Sequence, residues 1–261
     1  MTRSLEEVTT PVDHAITVDD TWLQGRGAYG GLTVAAMVRA IEARVADPRR
    51  RVRSVTAELP APTPVGVSRI DAEILRSGNQ VTTARATIRN GDVVSGHAVA
   101  VLAASRETGG DVAWRHIEPP VLPAWTELAP APMTGPGVAS FAQHFELRVV
   151  TGIPFTSGEP VTTGWVRARQ PGERRDAAYI AAMIDVWYPG FMVSTRPRPL
   201  ATIAYTLELF ESLDGLDPDV PLAYRGTVPV CGDGYFVETR ELWGSDGRLV
   251  ARNHQTFAII R

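Results

Sequence analysis

The chain has 261 residues, 44% of them hydrophobic and 21% charged, with a formal net charge of -3, an ordinary globular balance that gives no global electrostatic case for nucleic acid. Lysine is absent and Cys231 is the single cysteine, which excludes lysine Schiff-base chemistry, an intramolecular disulfide and a cysteine-based zinc cluster. The first residues lack the apolar run of a signal peptide and no segment approaches about 20 apolar residues, so a cytoplasmic location without a membrane span is expected.

In chain order, the first element predicted is a helix opening at Tyr29-Gly30-Gly31. Val34, Val38, Ile41 and Val45 form its apolar stripe, and Asp47-Pro48 ends it. The Arg49-Arg50-Arg51 run with Arg53 reads as a solvated turn, or alternatively as a phosphate contact. Strands are predicted over 52–59, 67–75, 80–88 and 93–103, joined by Ser77-Gly78-Asn79 and by the hairpin signal Asn90-Gly91. Residues 104–140, rich in Pro, Gly and Ala, read as a linker. The order then recurs. Strands over 145–150 and 162–169 precede a helix over 176–188, closed by Pro189-Gly190, and strands over 201–210, 222–230, 235–242 and 249–260 follow.

One unit therefore occurs twice, over 1–104 and 141–261, with the linker over 105–140. Its order suits an α+β arrangement in which a curved antiparallel sheet wraps a long helix. Joining two units edge to edge covers one sheet edge of each. Laid over each other without a gap at the last turn, Asn90-Gly91-Asp92 on Asp246-Gly247-Arg248, the copies set Arg39, Ser54 and Val99 opposite Asp185, Thr202 and Gln255. Asp185 sits in the last turn of the second predicted helix, facing the negative end of the dipole at a cost of about 0.3–1 kcal/mol. Thr202 opens a strand, where a β-branched residue is ordinary. Gln255 shares a strand face with Phe257 and Ile259, so it is expected to be buried and hydrogen-bonded. Each has a plain structural reading; what raises them together is that the polar groups gather in one copy.

Gly30-Gly31 with Ala35-Ala36, Leu75-Arg76-Ser77-Gly78-Asn79, Leu200-Ala201-Thr202-Ile203 and Asp246-Gly247-Arg248-Leu249-Val250-Ala251 with Gln255 resemble the type II acyl-CoA thioesterases. The resemblance spans nearly the whole chain and is weakest over 104–140. It implies a double hotdog fold, an acyl-CoA substrate with no cofactor or metal, and assembly into a homo-oligomer, a dimer of double hotdogs. It also implies that Asp185, Thr202 and Gln255 bind the attacking water. Asp185 would act as general base, with Thr202 and Gln255 orienting the water. Backbone N–H groups at Gly30 and Gly31 are candidates for the oxyanion, because a helix start offers unpaired donors; that helix belongs to the other half, so the site is expected at the seam between the copies. Tyr29 departs from the pattern, standing where many relatives have His.

No Gly-x-Ser-x-Gly elbow is present, and the five His residues show no metal-ligand spacing. Two other readings stay open: a non-catalytic acyl-CoA or acyl-chain binder on the same scaffold, and an acyl-thioester hydratase or dehydratase. The latter needs a His-containing acid/base pair at the helix start.

Overall fold

A computed structural model describes residues 3–106, 109, 114–217 and 219–260. The first half begins with α1 (Leu5–Thr9), whose start Ser4 and Glu7 close with a reciprocal capping box. The short strand β1 (Ala15–Val18) and a ribbon of β2 (Leu23–Gln24) with β3 (Gly27–Ala28) lead into α2 (Gly30–Val45). Strands β4 (Arg51–Glu58), β5 (Gly66–Ser77), β6 (Val81–Asn90) and β7 (Val93–Ala103) complete it. The second half runs β8 (Phe145–Thr151), β9 (Val161–Ala168), α3 (Ala177–Met183), α4 (Phe191–Ser194), β10 (Leu200–Leu209), β11 (Leu222–Gly232), β12 (Tyr235–Trp243) and β13 (Leu249–Ile259).

All strands but β2 and β3 form one antiparallel sheet in the order β1-β5-β6-β7-β4-β10-β13-β12-β11-β9-β8. The halves join where β4 pairs with β10, from Glu58 opposite Ala204 to Ser54 opposite Glu208. Helix α2 is buried continuously from Gly31 to Arg39, as expected of a helix wrapped by a sheet and packed on a second helix. That second helix is α3, which runs antiparallel to it: Gly31 at the start of α2 meets Asp185 beyond the end of α3, and Arg39 meets Asp176 at the start of α3. This is the double hotdog arrangement expected from the sequence.

Helix α3 is shorter than the predicted 176–188. The Asp176 side chain accepts from Tyr179 N–H and fixes the start. After Met183 the chain tightens, with Asp185 N–H donating to Ala182 O and Val186 N–H to Met183 O, three residues back in each case. Asp185 therefore lies beyond the last helical turn rather than within it.

The strand registers also correct the pairing of the two copies. Bulges fall at equivalent places, at Arg53 in β4 and Ile203 in β10, and at Ser95 in β7 and Val250 in β13. Matching the bulges places Val52, opposite Leu102, on Thr202, opposite Phe257. It places Ala100, opposite Ala84, on Gln255, opposite Glu238. The counterparts of Thr202 and Gln255 are thus Val52 and Ala100, two residues away from Ser54 and one residue away from Val99 respectively. The connection between β12 and β13 is one residue longer than its partner, and a one-residue slip sends a strand's side chains to the opposite face.

Candidate active site

The inner face of the second half carries a polar row. Glu238 and Arg240 on β12 stand opposite Gln255 and Asn253 on β13, and all four are at most 1% exposed. In the first half the same four positions are Ala84, Ala86, Ala100 and Ala98, all fully buried. The scaffold is repeated, but polar chemistry has been built into only one copy.

Asp185 reaches into this row. Thr202 Oγ1 donates to Gln255 Oε1 at 3.2 Å, and Gln255 Nε2 donates to Asp185 Oδ1 at 2.7 Å and to Asn253 Oδ1 at 2.9 Å. Asn253 is anchored in turn, donating to Thr206 O at 2.8 Å. Both ends of the Gln255 amide are used, which fixes its orientation. The structure thus brings Asp185, Thr202 and Gln255 together in one hydrogen-bonded chain. Gln255 is buried, and the neighbouring His254 points to the exposed face. Thr202 is partly exposed, so the chain runs from solvent to a buried carboxylate.

The other carboxylate oxygen, Oδ2, accepts the Gly31 N–H at 2.6 Å. Asp185 thereby sits at the positive end of α2, which offsets the unfavourable end of its own helix. Gly31 is demanded by packing, since a Cβ there would lie 2.9 Å from both Ala182 O and Asp185 Cβ. The Gly31 N–H, an expected oxyanion donor, is engaged by Asp185. Gly30, at the first helical position, has no acceptor within its helix for its own N–H.

Three buried groups around Asp185 were not found by sequence reading. Arg240 Nη1 donates to Asp185 Oδ1 at 2.9 Å and to Ile184 O at 3.3 Å. Glu238 lies 3.4 Å from the same guanidinium and accepts from Gly190 N–H at 3.3 Å and Tyr224 Oη at 3.4 Å. Asn253 completes the set. A signal existed: Phe236, Glu238, Arg240 and Leu242 alternate along β12, setting two charges between two apolar residues on one face. Burial pushes the Asp185 carboxyl above its ordinary range, against the pull of Arg240, Gln255 and Gly31. Burial likewise raises Glu238, opposed by Arg240 and the Gly190 N–H.

Next to the polar row lies a separate apolar cluster. Phe191 on α4, Phe236 and Phe257 stack with ring centroids 4.5 and 4.6 Å apart. Tyr29, at the start of α2, is fully buried and stacked on Phe141, and among the described residues its hydroxyl has no hydrogen-bond partner. A cleft of about 390 Å³ lined by Glu42, Arg50, Arg53, Arg174 and Asp176 opens at the opposite end of the helix pair, away from Asp185. Among the described residues, no three His, Cys, Asp or Glu side chains converge as a metal site requires, and no helix is long and apolar enough to cross a membrane.

Two family models match the chain. The acyl-CoA thioesterase N-terminal domain covers residues 18–106 and the acyl-CoA thioesterase C-terminal domain covers residues 123–259. Among solved structures, a conserved hot dog protein of unknown function from Alicyclobacillus acidocaldarius is 24% identical, with a TM-score of 0.84 over 100% of this chain and 99% of the other. An acyl-CoA thioesterase II from Mycobacterium marinum is 17% identical, with a TM-score of 0.76 over 98% of each chain. At these identities the likeness establishes the shared fold. No curated protein matches the chain.

Proposed function

Because the chain belongs to the acyl-CoA thioesterase family, we propose that it cleaves an acyl-CoA thioester to the free acid and CoA, using water activated at Asp185 and held by Thr202 and Gln255. The observation that carries this reading is the hydrogen-bonded chain from partly exposed Thr202 through Gln255 to the Asp185 carboxylate.

The chemistry asks little more. A thioester carbonyl is electrophilic, so a positioned water suffices as nucleophile. Asp185 takes a proton from the water as its oxygen bonds to the carbonyl carbon. The C–S bond then breaks, and the departing thiolate is protonated from Asp185. Thr202 and Gln255 contribute by orientation. For the oxyanion we assign the start of α2, with the Gly30 N–H as donor and Gly31 aligning Asp185 beside it. CoA enters as part of the substrate rather than as a cofactor.

Hydrolysis of an acyl-CoA panel, followed by thiol release over many turnovers per chain, tests this reading. Wild type is expected to release CoA, Asp185→Asn to lose about 10³-fold or more, and Gln255→Ala about 10²-fold. Equal rates in wild type and Asp185→Asn would remove the general base. Binding without hydrolysis at every chain length would instead identify an acyl-CoA binder. A change in enoyl absorbance without thiol release would identify a hydratase.

A further inference from the structure

We propose that Arg240, braced by Glu238, is a positioning residue that keeps the Asp185 carboxylate ionised and aimed at the water site. The inference rests on the hydrolytic reading above and concerns two residues that touch no reacting atom.

Asp185 is only 7% exposed, and a carboxyl so far removed from water favours its neutral form, which cannot accept a proton. One full positive charge faces it. Arg240, 1% exposed, holds Asp185 Oδ1 at 2.9 Å while a second contact to Ile184 O ties the guanidinium to the backbone just before the acid. Glu238, fully buried, lies 3.4 Å from the far side of that guanidinium and is itself fixed by Gly190 N–H and Tyr224 Oη. The result is a buried line, Asp185–Arg240–Glu238, with one cation shared between two acids. Such a cation holds an acid ionised, and the second acid limits how far its basicity falls.

The site is shaped to hold this line. Gly226 stands opposite Arg240, and a Cβ there would lie 2.6 Å from Tyr224 Oη and 2.8 Å from Glu238 Oε1. The Phe257 ring lies 5.5 Å from the guanidinium carbon, giving it an aromatic wall. In the other half of the chain, Ala84 and Ala86 occupy the matching positions, so the fold itself does not need the charges. The remaining titratable groups facing Asp185 are the phenols of Tyr29 from the start of α2, Tyr205 from β10 and Tyr224 from β11. All three are raised by burial and stay neutral, leaving Arg240 as the cation facing the acid among the described residues.

The pH dependence of kcat/KM for acyl-CoA hydrolysis, measured beside thermal melting, tests the assignment. Glu238→Gln is isosteric and leaves Arg240 to Asp185 alone, so its acid limb is expected to move down by about half a pH unit or more. Arg240→Met with Glu238→Met removes the cation and its counter-charge together, and its acid limb is expected to move up by about one unit or more. Arg240→Lys, keeping the charge, is expected to restore most of the wild-type limb. A purely structural pair would lower the melting temperature and leave the limb in place. Unmoved limbs in folded Glu238→Gln and in the double variant would overturn the proposal, as would an upward move in Glu238→Gln alone. Should the double variant not fold, Glu238→Gln alone still decides it. Full activity in Asp185→Asn sinks the hydrolytic mechanism itself, a result distinct from an inactive Asp185→Asn with unmoved limbs.

Discussion

Gly31 does two jobs at one atom pair. Its N–H supplies a donor to Asp185, and its lack of a side chain lets α2 approach α3. A Cβ at this position would meet Ala182 O at 2.9 Å and Tyr29 Cε2 at 2.7 Å, and the first of these is helix backbone that cannot step aside. Gly31→Ala is therefore expected to cost about 1–3 kcal/mol in denaturant unfolding and to depress hydrolysis by misplacing Asp185. At Gly30 the added methyl would meet only side-chain atoms, Asp185 Oδ2 at 3.0 Å and Leu59 Cδ1 at 3.2 Å, so Gly30→Ala is expected to be milder. Equal losses in both variants would show that the helix contact does not set the requirement. The pair was legible in sequence as a helix start; its engagement with an acid 154 positions away was not.

At the scale of elements, strands β11, β12 and β13 work as one unit. Gly226 in β11 leaves the space that Tyr224, Glu238 and Thr162 fill, since a Cβ would come within 2.8 Å of the Thr162 hydroxyl as well. Gly226→Ala is expected to lower stability by about 1–3 kcal/mol, because three buried polar groups would have to shift together. An unchanged unfolding midpoint would mean that the row adapts freely. Alternation showed Gln255 to be an inward polar residue, yet the same rule applied to β12 reveals Glu238 and Arg240. From sequence alone, Glu and Arg between apolar residues look like a solvated face until the partner strand is known. The copy-to-copy alignment slipped for a related reason. A gap-free match at the turn ignored the extra residue between β12 and β13, and registers alone locate bulges at Ser95 and Val250.

Across the whole molecule, the paired helices give the seam two unlike ends. At one end Asp185 meets the start of α2. At the other Arg39, 4% exposed, meets Asp176 at 3.3 Å and Thr10 Oγ1 at 2.9 Å, closing the matching corner with a side chain of opposite charge. Glu42 lies one turn farther along α2. Burial, reinforced by Asp176 and opposed by Arg39 and Arg174, raises its carboxyl from 4.5 to about 7. An acid with a raised folded value binds more protons when folded, so its contribution to stability falls as pH rises from about 4.5 to about 7. Glu42→Gln is accordingly expected to stabilise the protein at pH 8 by about 2 kcal/mol and to change little at pH 4. Melting temperatures that shift equally at both pH values would contradict this.

From the sequence by itself came the duplicated α+β plan, the order of long strands and the residue types of the water site, because these depend on local periodicity, turn chemistry and a recognisable family pattern. The short elements α1, β1, β2, β3 and α4 escaped it, being too brief for periodicity to register. Tertiary structure decided what surrounds the acid. It ended α3 at Met183, turned the Gly31 N–H onto the Asp185 carboxylate, and gathered Glu238, Arg240 and Asn253 from two strands around it. Sequence spacing records neither the register between strands nor the end-to-end packing of two helices. Those contacts form only when the sheet closes around its core, and they separate the polar row in one half from the four alanines in the other.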